Sequence, residues 1–506
     1  MNNLKKVGLS SILSYGSIVL NTLSMLIIAP HIIDIVGDEQ YGVYKLVTSV
    51  TTSLTVLDLG IGNTITRFIA RYDAEGDSNK KDIVYTQSIK ILMVLIPVIL
   101  LVGICLRRPF VNFYTNSLTI SGIKLAKTIY SIAVIEILVI VVESAYGGFL
   151  AGSNLYIYLN IVKIISIITR FLLTYICLYW CASAVLLIII ELITATIRLL
   201  MYIYILKMKT DICWERGCHN ILMMKSLLSY TSIMFLDTII TIINNNSDNA
   251  IIGAICGAKE VAIYSFGIQI FSMFGMLSTS ISMVMLPVMT KLVVNHVETH
   301  KLENCIIRAG KIQYILLGGM EFGFFILGKE FIMLWLGEDY LDVWIITFIL
   351  MISSTIPLVE NVTISILRAK NMMGIRVFLQ FVEAVINIIL TFALVKKFGY
   401  IVAAYTTAIS SVAITTIILN IYYQIKLGLN MFRVLKSILF RTTITLIVGT
   451  ILSYCIINSF LYDLTLTWFS FFIKGLIFLA IYSCGLLFFG ISREERKYYL
   501  HQFRRK

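Results

Sequence analysis

Runs of about twenty apolar residues recur from one end of this chain to the other, each long enough to cross the hydrocarbon core of a bilayer as a helix. No other feature limits the fold as strongly. Only 14% of the 506 residues are charged and 58% are hydrophobic, whereas a water-soluble domain carries about 25% charged residues. The chain has too little polar surface to cover itself in water, so it reads as an all-α polytopic membrane protein.

Fourteen spans are predicted: 10–33, 43–66, 87–106, 123–149, 155–179, 183–206, 226–251, 261–287, 311–328, 343–366, 373–395, 399–424, 438–460 and 468–490. No segment between them is long enough for a soluble domain. An even number puts both termini on one side of the membrane. If that side is the cytoplasm, the inner segments hold 27 Lys and Arg and the outer ones eight, the excess that cytoplasmic loops show. The net charge of +13 is therefore read as topology, not as a nucleic-acid surface. The start, MNNLKKVGLSSILSYG, shows no cleavage pattern and is read as an uncleaved first helix. The nine cysteines form no C-x-x-C and read as small hydrophobes.

The spans repeat. At an offset of 220, Gly37 falls on Gly257, Tyr44 on Tyr264, Leu57 on Leu277 and Ile61 on Ile281. At an offset of 217, Glu143 falls on Glu360 and Asn154 on Asn371. The repeat unit is six spans, so the halves share one orientation, an arrangement found in transporters that alternate access between two lobes. The expected organisation is an N-terminal lobe (1–210), a C-terminal lobe (211–425), and two further helices with a basic cytoplasmic tail (426–506).

Polar residues inside the spans are the functional candidates, because ionisable groups are costly in hydrocarbon. Ser10, Ser14, Ser17, Asn21 and Ser24 share one face of the first span, and Asp237, Thr241, Asn244 and Asp248 one face of the seventh. Small-residue helix packing suits the first stripe, whereas two aspartates in the second favour a water-filled cavity. Glu136 and Glu143 lie seven apart on the fourth span, Lys163 and Arg170 seven apart on the fifth. Folded as a hairpin about Ser153, Glu143 pairs with Lys163 and Glu136 with Arg170, as structural ion pairs or as cationic lining for an anionic substrate. The matching positions of the second half hold Gln380 and Asn387, so any such lining is lopsided. Glu191 and Arg198 are again seven apart on the sixth span, while Glu321, Glu383 and Lys474 have no evident partner.

The segment LTVLDLGIGNTITRFIARYDAEGD (Leu54–Asp77) needs its own reading. Gly60 and Gly62 lack the third glycine and the preceding strand of a dinucleotide loop, and instead permit close helix approach. Arg67 and Arg71 mark a cytoplasmic boundary. Pro287 stands at the position of Arg67 in the second half. Asp58 is too deep for topology and is a cavity candidate. HVETH has its glutamate in the wrong place for a zinc protease, and no Ser/His/Asp set converges. Neither a catalytic residue nor a metal ligand is predicted.

GDEQYGVYKL followed by LDLGIGNTITRFIARY, with GAKEVAIYSFG and MVMLPVMTKL in the second half, resembles the polysaccharide-transporter family. These are the Wzx-type oligosaccharide flippases of the multidrug/oligosaccharidyl-lipid/polysaccharide exporter superfamily. The resemblance implies two six-helix lobes around a hydrated cavity, with the last two helices packed on one side. It implies passage of a polyprenyl-diphosphate-linked oligosaccharide to the outer leaflet of a bacterial cytoplasmic membrane. The expected partners are that lipid-linked glycan, membrane lipids and other polysaccharide-assembly proteins, with no nucleic acid and no cofactor beyond a coupling H+ or Na+. The substrate-cavity candidates are Asp58, Arg67, Glu143, Lys163, Arg170, Arg198, Asp237, Asn244, Asp248 and Glu360. A cation-coupled multidrug antiporter is the alternative. A membrane-bound glycan polymerase would need a sizeable outer loop, and the spans leave none.

Overall fold

The computed structural model describes residues 3–58, 60–210, 221–295, 297–370, 372–460 and 465–487. Those residues form helices and no strand, and eleven of the helices are long and apolar enough to cross a membrane. Helices also cover the other three expected spans, without meeting that measure. The stretch 43–66 is interrupted, 226–251 carries Asn244–Asn249, and 311–328 carries Lys311, Gln313 and Glu321. By contact the chain forms two compact units, Met1–Ala262 and Ile263–Lys506.

The first unit contains α1 (Asn3–Val36), α2 (Asp38–Thr52), α3 (Ile61–Glu75), α4 (Ser78–Tyr114), α5 (Ile120–Gly152), α6 (Tyr156–Leu178), α7 (Ala184–Lys209) and α8 (Ile221–Ile255). α5 packs against α2, α3, α4 and α7. α6 lies against α1 and α7. Lipid takes the remaining faces: Leu101 and Ile104 of α4 are each 63% exposed, which in water would be a large apolar patch.

The second predicted span is broken in the middle. α2 ends at Thr52, a 3-10 turn runs from Ser53 to Asp58, and Gly60 (φ 71°) starts α3 from the left-handed region that glycine enters without strain. Two residues on, Gly62 crosses α5 so closely that a Cβ there would lie 2.5 Å from Ser144 Oγ and 2.7 Å from its carbonyl oxygen. Gly62 thus serves helix approach, as the sequence suggested, while Gly60 supplies the turn.

The second unit begins within α9 (Ala258–Val294) and continues through α10 (Thr299–Trp335), α11 (Asp342–Val359), α12 (Thr363–Ala369), α13 (Met373–Phe398) and α14 (Val402–Ser411). A π-helical segment, Val412–Ile418, joins α14 to α15 (Leu419–Leu427), and α16 (Met431–Phe460) and α17 (Trp468–Gly485) follow. α10 packs against α11, α16 and α17. Lys474, without a partner by sequence, donates to Glu330 Oε1 at 2.8 Å and ties α17 to α10. Glu321 accepts from Thr355 at 2.7 Å.

The repeat is visible in a single contact. Ser144 Oγ donates to Asp58 at 3.1 Å in the first unit, and Asn361 Nδ2 donates to Ser278 Oγ at 3.4 Å in the second. Ser278 is 220 residues beyond Asp58 and Asn361 is 217 beyond Ser144, the two offsets of the sequence repeat. α9 runs unbroken through Ser278, where the first unit carries Asp58 and the Gly60 turn.

Candidate functional site

Charges gather in the first unit on α5, α6 and α7. Arg198 of α7 grips Glu143 of α5 with two parallel bonds, Nε to Oε1 at 2.8 Å and Nη2 to Oε2 at 2.9 Å. Its remaining nitrogen, Nη1, donates to Ser166 Oγ of α6 at 3.0 Å. This is the bidentate geometry in which a guanidinium binds a carboxylate most firmly. The pair is largely enclosed, with the Glu143 and Arg198 side chains 15% and 25% exposed. Two turns toward the start of α7, Glu191 accepts from Tyr44 of α2 at 2.7 Å. Glu136 stands within electrostatic reach of Glu143, Glu191, Arg170 and Arg198.

The expected hairpin pairing therefore does not form. Glu143 takes Arg198 instead of Lys163, and Arg170 donates its Nη2 to Asn21 of α1 at 2.8 Å. The reason lies in the turn about Ser153. Asn154 adopts φ 58° there, and the chain leaves α5 so that α6 settles on α1 and α7. The helix running along α5 is α7. Lys163 is left exposed, on the same face of α6 as Ser166 and Arg170. Three carboxylates, from Glu136, Glu143 and Glu191, face two guanidiniums, from Arg170 and Arg198.

Asp58 sits in the break ahead of α3. Ser144, the residue after Glu143, donates to its Oδ2, while Oδ1 is buried with no hydrogen-bond partner. An unmatched carboxylate oxygen at membrane depth is costly. Arg67, on α3, is exposed.

α8 carries the stripe of the seventh span. Asp248 is buried at 5% exposure, Asn244 is half-buried and Thr241 exposed; the side chain of Asp237 lies outside the described set. Next to the stripe, α8 and the start of α9 meet α2 and α4. Asn249 Nδ2 donates to Ser49 Oγ at 3.1 Å, Tyr114 Oη donates to the Ala250 carbonyl at 3.1 Å, and Lys259 pairs with Asp38 at 3.7 Å. A Cβ on Gly42 would fall 1.8 Å from the Ala258 carbonyl oxygen, so the backbones are in direct contact.

In the second unit the counterpart of Glu143 meets an amide. Glu360 Oε2 accepts from Asn420 Nδ2 at 2.9 Å. Asn387, at the position matching Arg170, sits among hydroxyls, accepting from Thr391 at 3.1 Å and Thr407 at 3.3 Å. The positions of Lys163 and Arg170 thus hold no cation in the second unit, where Gln380 and Asn387 stand. Tyr44, Ser144, Ser166 and Asn420 were not legible as partners. Only Ser144 gave a signal, by following Glu143 in the chain.

A family model described as polysaccharide biosynthesis protein matches residues 8–293. No curated protein matches the chain in sequence. Among solved structures it is similar to the lipid II flippase MurJ in an inward closed conformation, at 16% identity and a TM-score of 0.75, covering 94% of this chain and 97% of that one. It is also similar to an inward-facing MATE multidrug transporter of the MOP superfamily (15% identity, TM-score 0.66, 79% and 92% covered). A third is a MOP transporter from Pyrococcus furiosus whose binding pocket has reversed polarity (14%, 0.57, 85% and 95%). At these identities the likeness establishes the fold alone.

Proposed function

The chain belongs to the polysaccharide biosynthesis protein family, and from that premise we propose that it flips a polyprenyl-diphosphate-linked oligosaccharide from the cytoplasmic to the outer leaflet by alternating access, for surface polysaccharide assembly. One observation carries the reading: the matched stretch, residues 8–293, holds the membrane-depth cluster of Glu136, Glu143, Glu191, Arg170 and Arg198. A glycan needs hydrogen-bonding walls across the bilayer, since its hydroxyls cannot be left unpaired in hydrocarbon. The polyprenyl tail needs none and stays in lipid.

The diphosphate needs cations. Arg198 has committed three donors to Glu143 and Ser166, so Lys163 and Arg170, together on α6, are the cations that meet it. The setting is a bacterial cytoplasmic membrane with both termini inside, and other polysaccharide-assembly proteins are the expected partners. In that orientation the contacts Tyr114–Ala250 and Asp38–Lys259 lie at the outer ends of their helices, and Ser49–Asn249 lies deeper along α2.

The acid surplus among these five residues is the observation that favours a second reading, an exporter of cationic molecules. Deletion separates the two. A flippase mutant accumulates one lipid-linked glycan on the cytoplasmic face and loses surface polysaccharide; unchanged polysaccharide with new sensitivity to cationic compounds would select the exporter.

A further inference from the structure

We propose that the cavity between the starts of α2 and α5 holds the headgroup of a phosphatidylethanolamine molecule. Its volume is about 410 Å³, and its polar lining comes from Glu39, Gln40, Ser121, Lys124 and Thr128. That is an ordinary size for a small-molecule site. The two charges in the lining are opposite, yet they are not spent on each other. Among the described residues, the Lys124 ammonium forms no ion pair, although Glu39 lines the same cavity. Asp38, the acid beside Glu39, is answered by Lys259 at 3.7 Å. Glu39 is the carboxylate left for a cation.

Hydrogen bonding fixes which atoms remain. Thr119 donates its hydroxyl hydrogen to Glu39 Oε1. The Thr119 oxygen accepts from the Gly122 N–H at 3.0 Å and meets Ser121 Oγ at 2.9 Å. With the Thr119 hydrogen spent, Ser121 is the donor of that pair. The relay leaves Glu39 Oε2 as an acceptor without a partner among the described residues. Gln40 Oε1 accepts from the Ala184 N–H at 3.3 Å, so the amide oxygen is used while its two hydrogens stay available. Thr128 spends its hydrogen on the Lys124 carbonyl at 3.2 Å and keeps its lone pairs. Gly122 keeps the floor open, since a Cβ there would stand 3.1 Å from Thr119 Oγ1 and 3.5 Å from Glu39 Oε1.

The cavity thus presents donors at Lys124 and Gln40 and acceptors at Glu39, Ser121 and Thr128. A phosphate diester takes charge-assisted bonds from the first set, and a primary ammonium gives them to the second. Phosphatidylethanolamine carries both groups in one headgroup. Phosphatidylglycerol offers Glu39 no cation, and the ammonium of phosphatidylcholine has no hydrogen to give. The placement is that of a lipid. The cavity lies at helix starts, and the exposed face of α5 runs on from it: Ile120, Lys124, Thr128 and Ile135 follow one another at helical spacing, with Ile135 50% exposed. Acyl chains can follow that face into the hydrocarbon. With both termini inside, the lipid belongs to the outer leaflet.

The test is thermal unfolding of the full-length, delipidated protein in detergent, titrated with phosphatidylethanolamine, phosphatidylglycerol or phosphatidylcholine of the same acyl chains. Phosphatidylethanolamine should raise the midpoint saturably, at about one-tenth of the concentration the other two need, the difference made by one charge-assisted hydrogen bond. Lys124→Gln should move half-saturation up by about tenfold. Glu39→Gln, whose amide oxygen can still accept from Thr119, should remove the preference over phosphatidylglycerol. Lys127→Gln, exposed on α5 outside the cavity, should change nothing. Equal half-saturation for the three lipids, a preference that survives Glu39→Gln, or a Lys124→Gln response no different from that of Lys127→Gln would overturn the proposal. So would soluble phosphoethanolamine acting at the concentration of the lipid, because the acyl chains would then contribute nothing. The measurement uses no glycan, so it can fail while the flippase reading stands, and the reverse.

Discussion

Replacing Arg198 with Gln removes the counter-charge of Glu143 and leaves a carboxylate 15% exposed with neither of its two shortest bonds. Breaking a fully buried pair from one side costs about 3–5 kcal/mol. The Arg198 side chain is 25% exposed, so water offsets part of that loss and about 2–3 kcal/mol is expected. Glu143→Gln should cost a similar amount, since it leaves the guanidinium with Ser166 alone. The double variant, with two amides that can bond each other, should be nearly as stable as either single one.

The assay is equilibrium unfolding in mixed micelles, read as a double-mutant cycle. A coupling energy of about 2 kcal/mol is the expected result. Additivity within about 0.5 kcal/mol would refute the reasoning, because it would mean that each group finds water or another partner when its mate is removed. Arg198→Lys provides an internal control. It keeps the charge but cannot reach Glu143 twice and Ser166 at once, and should fall between wild type and Arg198→Gln.

Gly62→Ala places a methyl 2.5 Å from Ser144 Oγ and should cost about 1–3 kcal/mol in the same assay; a neutral effect would mean that α3 and α5 can separate freely. Cysteines at Ser49 and Asn249, in a background without the native ones, should cross-link and stop glycan export, with reduction restoring it; export that continues through the cross-link would show that this contact need not open. Asp77 caps α4 by accepting from the Lys80 N–H at 3.0 Å. That bond, with the Lys80 ammonium, holds the exposed carboxyl below its ordinary range. A lowered value in the folded state means that the cap's contribution is complete at neutral pH and is lost as pH falls through that value. Protection of the first turn of α4, taken as exchange relative to the intrinsic rate at each pH, should therefore fall on acidification in wild type and stay level in Asp77→Asn, and equal profiles would contradict the assignment.

What the sequence revealed, and what it withheld, follows from the range of the interactions. Apolar runs and a charge excess are properties of consecutive residues, so the helices and the repeat could be read directly. The break at Ser53–Asp58 is also local, yet its signal was a Gly-x-Gly that equally permits close packing, and the structure uses it for both. Pairing is not local. Glu143 and Arg198 are 55 residues apart, and their meeting depends on Asn154 turning α6 away from α5. A hairpin register drawn from spacing could not include that turn. Asn420 was harder still, because an uncharged amide in an apolar helix attracts no notice until a carboxylate is found against it.

The repeat makes the difference between the units interpretable. Glu143 and Glu360 occupy matching positions, so the same carboxylate has two histories in one chain. Where α7 supplies a guanidinium, removing the Glu143 carboxylate would strand Arg198 in a low dielectric. Where α15 supplies an amide, removing Glu360 would strand no charge on that helix. The first carboxylate is locked by the fold, and the second is set between an interrupted helix and a π-helical segment, so the two halves of the repeat hold one residue type in two structural settings.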